Sequence, residues 1–407
     1  MNLTMNKRQQ MSGIFLVIGA FALPMFSALA MFALSASALC ALIFDFAQVK
    51  QTLRESKLAQ LGLALFAVIA ASALYSSAPT QMMTKVILAY REFALIGLTI
   101  GIVTVLPQYK KWVVNALILS LSIVVVLSCL DAYAPLPFSK STLAGAVGDH
   151  FIFAHHINQN VMSSFLVLLL LLKATDPTTD LRWQWRYWAM ALVAVCDVLF
   201  LVKGRTGILT LAWNLLVFGY FIFSVKQRWL AVIVTAMLVS VALSTDNPLN
   251  RLAQRTVYEV QAHQERGEDT SAGLRLAFWQ DTWAKIEQKP ILGYGVGSYQ
   301  GMYDLDKKNP DKPGYWAGKV HPHNELFYIW FQAGILAAML FLGFVATLWM
   351  TAFKTQDTRD KMLQYSVAGM LVIYGALDVP LLNHIEGMFF WLIISVFFAK
   401  RGSESAT

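Results

Sequence analysis

Apolar residues fall into long runs separated by short polar connections, and the runs are about 16–22 residues long, the length a helix needs to cross the hydrocarbon core of a bilayer. They predict about twelve spans, near 13–28, 30–47, 58–76, 86–106, 112–131, 159–173, 186–202, 206–225, 229–244, 324–350, 363–382 and 387–399. The first run follows Lys7 and Arg8 and resembles a signal peptide, but it continues to about Ala47 without a cleavage site. Two retained spans, turned near Pro24 to Ser27, are expected there.

Two connections break the rhythm. The first, about 132–158, is interrupted by Pro135, Pro137, Gly145 and Gly148. The second, about 245–323, is the longest polar segment in the chain. Within it Leu276, Trp279, Trp283 and Ile286 recur at helical spacing, so an amphipathic helix is predicted over Ser271 to Gln288, ended by Pro290. The glycines of LGYGVGSY then make a turn-rich stretch, and Asn250 to Gln264 is also expected to be helical, with Arg251 and Arg255 on one face. The chain thus divides into spans 1–9 over residues 1–244, a large helical loop over 245–323, and spans 10–12 with a short tail over 324–407.

Charge supplies the orientation. Lys and Arg concentrate in alternate connections, among them Lys50, Arg54, Lys110, Lys111, Arg182, Arg186, Arg359 and Lys361, whereas the opposite short connections and adjoining span ends carry only Lys85, Arg91, Lys140, Lys203 and Arg205. Basic loops stay in the cytoplasm, so both termini are expected inside and both long loops outside. The formal net charge of +8 is accounted for by topology, and no nucleic-acid partner is expected. With 57% hydrophobic residues and a mean hydropathy of +0.54, membrane lipid is the main solvent. Cys40, Cys129 and Cys196 lie in apolar stretches and imply no disulfide framework.

Ionisable groups beside spans are costly and point to function. Arg205, in VKGRTG, opens a span at its outer end with Lys203 just before it: either a phosphate clamp or a side chain snorkelling to the headgroups. Arg275 stands near the start of the amphipathic helix, as a ligand for anions or as part of a solvated face. His321 and His323 precede Asn324 and Glu325 at the mouth of a span, where an imidazole is suited to accept a proton near neutral pH or to bond a neighbouring loop. His156 and Asn160, in HHINQN, line the same mouth or cap a helix. A metal site completed by His155 and His156 lacks supporting carboxylate or Cys spacing, so no metal or cofactor is expected. Arg91 and Glu92 are read as an intramembrane pair, and Asp378, His384 and Glu386 as structural groups of the last outer turn.

RLAFWQDTWAKIEQKPILGYGVGSY from Arg275 to Tyr299, HNELFYIWFQAG ending at Gly334, and GRTG around Arg205 together resemble the O-antigen ligase and polymerase superfamily. These motifs cover about a quarter of the chain, and span count and loop placement carry the remaining likeness. The resemblance implies an all-α, GT-C-like glycosyltransferase of the inner membrane whose site faces the periplasm. It implies a glycan on undecaprenyl diphosphate as donor and lipid A-core as acceptor, transferred with inversion and without metal. By matching position, Arg205 and Arg275 hold the diphosphate and His323 is the base. Lys203, His321, Asn324, Arg91, His156 and Asn160 are expected around the substrates. The nearest alternatives are an O-antigen polymerase, a protein O-oligosaccharyltransferase, and, from another class, a secondary transporter, against which the chain shows no paired halves with matching broken helices.

Overall fold

The structure is a computed structural model that describes residues 7–224, 227, 257–262, 265, 270–306 and 321–399. Those residues form helices and connections, with no strand among them. Among the described residues eight helices are long and apolar enough to cross a membrane by length and composition, and two shorter apolar helices, Gln10–Ala22 and His384–Phe397, accompany them. This is the architecture of a polytopic membrane protein.

The elements before the large loop are α1 (Lys7–Ala22), α2 (Ser27–Phe44), α3 (Phe46–Glu55), α4 (Lys57–Ala71), α5 (Thr80–Val105), α6 (Gln108–Tyr133), the short α7 (Lys140–Leu143), α8 (His156–Ala174), α9 (Leu181–Cys196) and α10 (Arg205–Ile222). A helical stretch over 257–262 and then α11 (Ser271–Gln288) and α12 (Ser298–Asp306) belong to that loop. The chain ends with α13 (Glu325–Lys354), α14 (Thr358–Leu377) and α15 (His384–Phe397). The expected span at 229–244, with Arg251 and Arg255, lies outside the described residues.

The predicted turn near Pro24 separates α1 from α2, and α11 has the boundaries read from its periodicity. Other boundaries moved. The expected span 363–382 is helical only from Thr358 to Leu377, because Asp378 leaves helical geometry at φ −158°. The span expected to run to residue 47 stops at Phe44, and α3 follows as a separate amphipathic helix that buries Val49 and Thr52.

Burial is centred on α8, almost wholly enclosed from Asn158 to Leu172, with α5, α14 and α15 contributing much of the remaining core. At one end of the bundle, Lys110 pairs with Asp360 at 2.9 Å and Arg359 with Asp176. These ion pairs join three connections that the charge pattern assigns to a common side.

At the other end, the glycine-rich stretch 289–297 is wedged between two elements. The Tyr294 and Gly295 N–H groups donate to Phe331 O and Gln332 O, both at 2.8 Å, and Ile335 N–H donates to Pro290 O at 3.0 Å. These carbonyls are free because α13 breaks at Gly334, whose φ of 74° interrupts the helical ladder. On the opposite flank Ser76 Oγ donates to Val296 O at 2.8 Å, and Val296 N–H donates to Ser72 Oγ at 3.0 Å. The large loop is thereby fastened to α13 and to the connection between α4 and α5, which fixes where α11 projects.

Candidate active site

Arg205 is aimed by its backbone. A π-helical turn, Asp197–Leu201, precedes it and leaves carbonyls outside the usual ladder. The buried Asn160 amide donates to Val198 O of that turn at 3.4 Å and, beyond it, to Val202 O at 2.8 Å and Gly204 O at 3.2 Å. A Cβ on Gly207 would fall 2.4 Å from Asn160 Cγ, which explains the second glycine of GRTG. Asn160 thus serves the backbone that presents Arg205 through its amide nitrogen, while its Oδ1 is buried without a hydrogen-bond partner. The Arg205 fork donates to Glu259, with Nη2 to Oε1 at 2.7 Å and Nη1 to Oε2 at 3.2 Å.

Arg275 sits one turn inside α11, whose N-cap Thr270 accepts from Gly273 N–H. The face α11 buries is Phe278, Thr282 and Ile286. The expected Trp stripe lies beside it: Trp283 is 41% exposed and packs against Phe327 and Trp330 of α13. Docking against α12 selects this rotation, because Thr282 meets the Tyr299 hydroxyl at 3.0 Å. Burial depresses the Arg275 pKa below its ordinary value; the Asp378 carboxylate opposes this, neighbouring Arg205 adds to it, and Glu259 opposes it. Arginine titrates so high that the group stays cationic. The same couplings put both arginines and two carboxylates in one neighbourhood.

His323 adjoins α11 through a ring stack with Phe278 at 6.2 Å between centroids and through its carbonyl, which accepts from Trp279 Nε1–H at 3.3 Å. It is the sole described non-glycine residue with positive φ, 53°, a conformation held only where the surroundings enforce it. Its Nδ1 lies 3.1 Å from Asp378 Oδ1. With Nδ1–H donating to that carboxylate, Nε2 carries the lone pair, the tautomer a base requires. Val379 N–H donates to the same Asp378 oxygen at 2.9 Å, and the turn that follows is held by Glu325, whose Oε2 accepts from Leu381 N–H at 3.0 Å and whose Oε1 accepts from the Tyr90 hydroxyl. Burial raises the Asp378 pKa, but the His323 hydrogen bond and the His321 and His323 charges outweigh it, and the carboxyl is held below its usual range. The stability from this pairing is present above the ordinary carboxylate pKa of about 3.9 and lost as pH falls through the lowered value.

The other expected contacts are distributed as follows. His321 Nδ1 stands 3.6 Å from Asp378 Oδ1, in the same cluster. Asn324 caps α13 by accepting from Phe327 N–H at 3.0 Å. His156 Nδ1 is 3.2 Å from Asp149 Oδ2, whose other oxygen accepts from Lys203 N–H at 2.9 Å, and Lys203 Nζ donates to Val147 O. Among the described residues Arg91 makes no ion pair with Glu92, both of whose carboxylate oxygens lack a hydrogen-bond partner. The expected pair fails because consecutive helix residues do not face each other; Glu92 turns toward Gly387, where a Cβ would fall 2.0 Å from Oε2.

Sequence reasoning missed Glu259 and assigned Asp378 a structural role; each is a lone carboxylate whose spacing from its basic partner carries no periodic signal. His321, His323 and Asp378 present ligand atoms within 4.8 Å of one another, a set chemically suited to a divalent ion. Its carboxylate comes from Asp378, and the disfavoured alternative completed by His155 and His156 is not this set.

A family model described as O-antigen ligase matches residues 189–342, the stretch that holds Arg205, Glu259, Arg275 and His323. An O-antigen ligase of Salmonella typhimurium is 44% identical over 66 residues, 15% of this chain and 16% of that protein. Putative polysaccharide ligases of Rickettsia conorii and Rickettsia felis are 38% and 36% identical over 77 residues, 18% of this chain and 19% of each relative. The matched stretch thus spans less than a fifth of the curated relatives. These matches bear out the resemblance to the O-antigen ligase superfamily.

Proposed function

We propose that this chain, which carries the O-antigen ligase domain, is a multispanning, GT-C-like glycosyltransferase that moves O-antigen glycan from undecaprenyl diphosphate to lipid A-core. It works at the periplasmic face of the inner membrane, in an N-in, C-in arrangement of about twelve spans. The observation that carries the reading is the meeting of Arg205, Arg275 and the His323–Asp378 pair, from four separate stretches, at one end of the bundle.

The chemistry follows from that grouping. His323 Nε2 takes the proton of the acceptor hydroxyl as its oxygen bonds to the anomeric carbon. The carbon–oxygen bond to the diphosphate breaks on the opposite face, which inverts the configuration. The electron pair departs with the diphosphate, where the two guanidinium groups stabilise the growing charge. Asp378 holds the imidazole in its productive tautomer and stabilises the imidazolium that forms.

Asp378→Asn should therefore cut glycan transfer roughly a hundredfold at unchanged membrane expression. Full activity in that variant would dissociate the carboxylate from the base. His323→Ala should abolish transfer. Transfer should also survive EDTA, because the diphosphate is already a good leaving group and the arginines supply the electrostatic stabilisation; loss that only added divalent metal restores would assign the His321, His323 and Asp378 set to an ion.

The deciding experiment reconstitutes the purified protein with undecaprenyl-diphosphate glycan and, in parallel, lipid A-core, a second lipid-linked glycan or a protein acceptor. Consumption of lipid A-core is expected. Use of a second lipid-linked glycan would make the chain a polymerase, and glycosylated protein would make it an oligosaccharyltransferase.

A further inference from the structure

The guanidinium read as a donor clamp is already engaged by a carboxylate. Glu259 is 6% exposed and accepts from both terminal nitrogens of Arg205. Its Oε2 also accepts from Ala272 N–H at 3.2 Å, in the first turn of α11, and Thr270 Oγ1 donates to its carbonyl. Arg275 is close enough for Glu259 to act on its charge. A two-pronged guanidinium, a first-turn helix N–H outside the helical ladder and a second cation nearby make up the environment that a phosphate group seeks.

We propose that Glu259 is a place-holder for the donor: its carboxylate occupies the seat of one phosphate of the diphosphate, keeps Arg205 and the start of α11 in register, and yields that seat when the donor binds. The identity of the anion rests on the ligase reading. The exchange is directional because a diphosphate carries more charge and more acceptor oxygens than one carboxylate. An arginine without such a partner would snorkel toward the headgroups and lose its aim. Glu259 is thus a positioning residue acting through Arg205, and Ala272 N–H becomes a backbone contact of the donor.

Competition for the fork weakens apparent anion affinity by the fraction of molecules in which the carboxylate holds it. Glu259→Gln retains the size of the side chain and one acceptor oxygen but removes the charge. Inorganic pyrophosphate binding to the full-length protein in detergent, measured by calorimetry, should tighten about tenfold in this variant. Glu259→Asp, charged but shorter, should tighten it about threefold, and it decides the matter if the Gln variant does not fold.

Unchanged or weaker pyrophosphate binding in the folded variants would overturn the place-holder role even if glycan transfer is normal. Tighter binding in protein that transfers no glycan to any acceptor would uphold the place-holder while the ligase reading falls. A role confined to fold stability would lower the melting temperature without strengthening pyrophosphate binding, and that pattern also overturns the proposal.

Discussion

Replacing Arg275 by Ala is expected to lower glycan transfer by two to three orders of magnitude, the loss typical of removing one preorganised donor at a site of developing charge. Burial depresses the Arg275 pKa, and Arg205 is 32% exposed in its side chain. A charge in a water-poor setting acts on the leaving group with little screening. Arg275→Lys should recover little, because an ammonium offers no planar fork. The measurement is a lipopolysaccharide gel from cells expressing each variant at equal membrane level, followed by rates on reconstituted protein. Product at the wild-type level from the Ala variant would remove Arg275 from the site.

Gly334→Ala should be the most damaging conservative change in the large apolar helices. A Cβ at this position would stand 1.9 Å from Ile291 O and 2.6 Å from Ile291 C, at a φ of 74° that L side chains avoid. Backbone at φ 74° and ψ −174° is essentially restricted to glycine and costs another residue roughly 1–3 kcal/mol, and a forced backbone displacement adds roughly 1–3 kcal/mol more. The displaced segment is the glycine-rich stretch that fastens the large loop, so loss of stability and loss of transfer should appear together. Thermal unfolding of the purified protein provides the first readout. Gly343→Ala in the same helix is the control, since its Cβ would meet Leu61 at an ordinary 3.9 Å. If both variants melt as wild type does, the kink is not what secures the loop.

Much of the frame was legible in linear order because its cause is local. A run of apolar residues must become a helix wherever lipid surrounds it, since no water is present to satisfy an open backbone. The turn at Pro24, the limits of α11 and the helix opened by Arg205 follow from neighbours a few positions apart. The rotation of α11 did not, because its periodicity permits two adjacent faces and only the contact of Thr282 with Tyr299 selects between them. Arg91 and Glu92 show the opposite error, in which adjacency along the chain was read as adjacency in space.

The sequence by itself determined the solvent of this protein, its helical class and the chemical kinds of its candidate groups: two guanidiniums and an imidazole in recognisable motifs. Tertiary structure alone decided their partners. Asp378 reaches His323 from 55 positions away and Glu259 reaches Arg205 from 54. The reason is physical: hydrophobic patterning acts through the average burial of a segment, whereas a hydrogen bond demands its two atoms at about 3 Å. That condition is met only once the helices have packed.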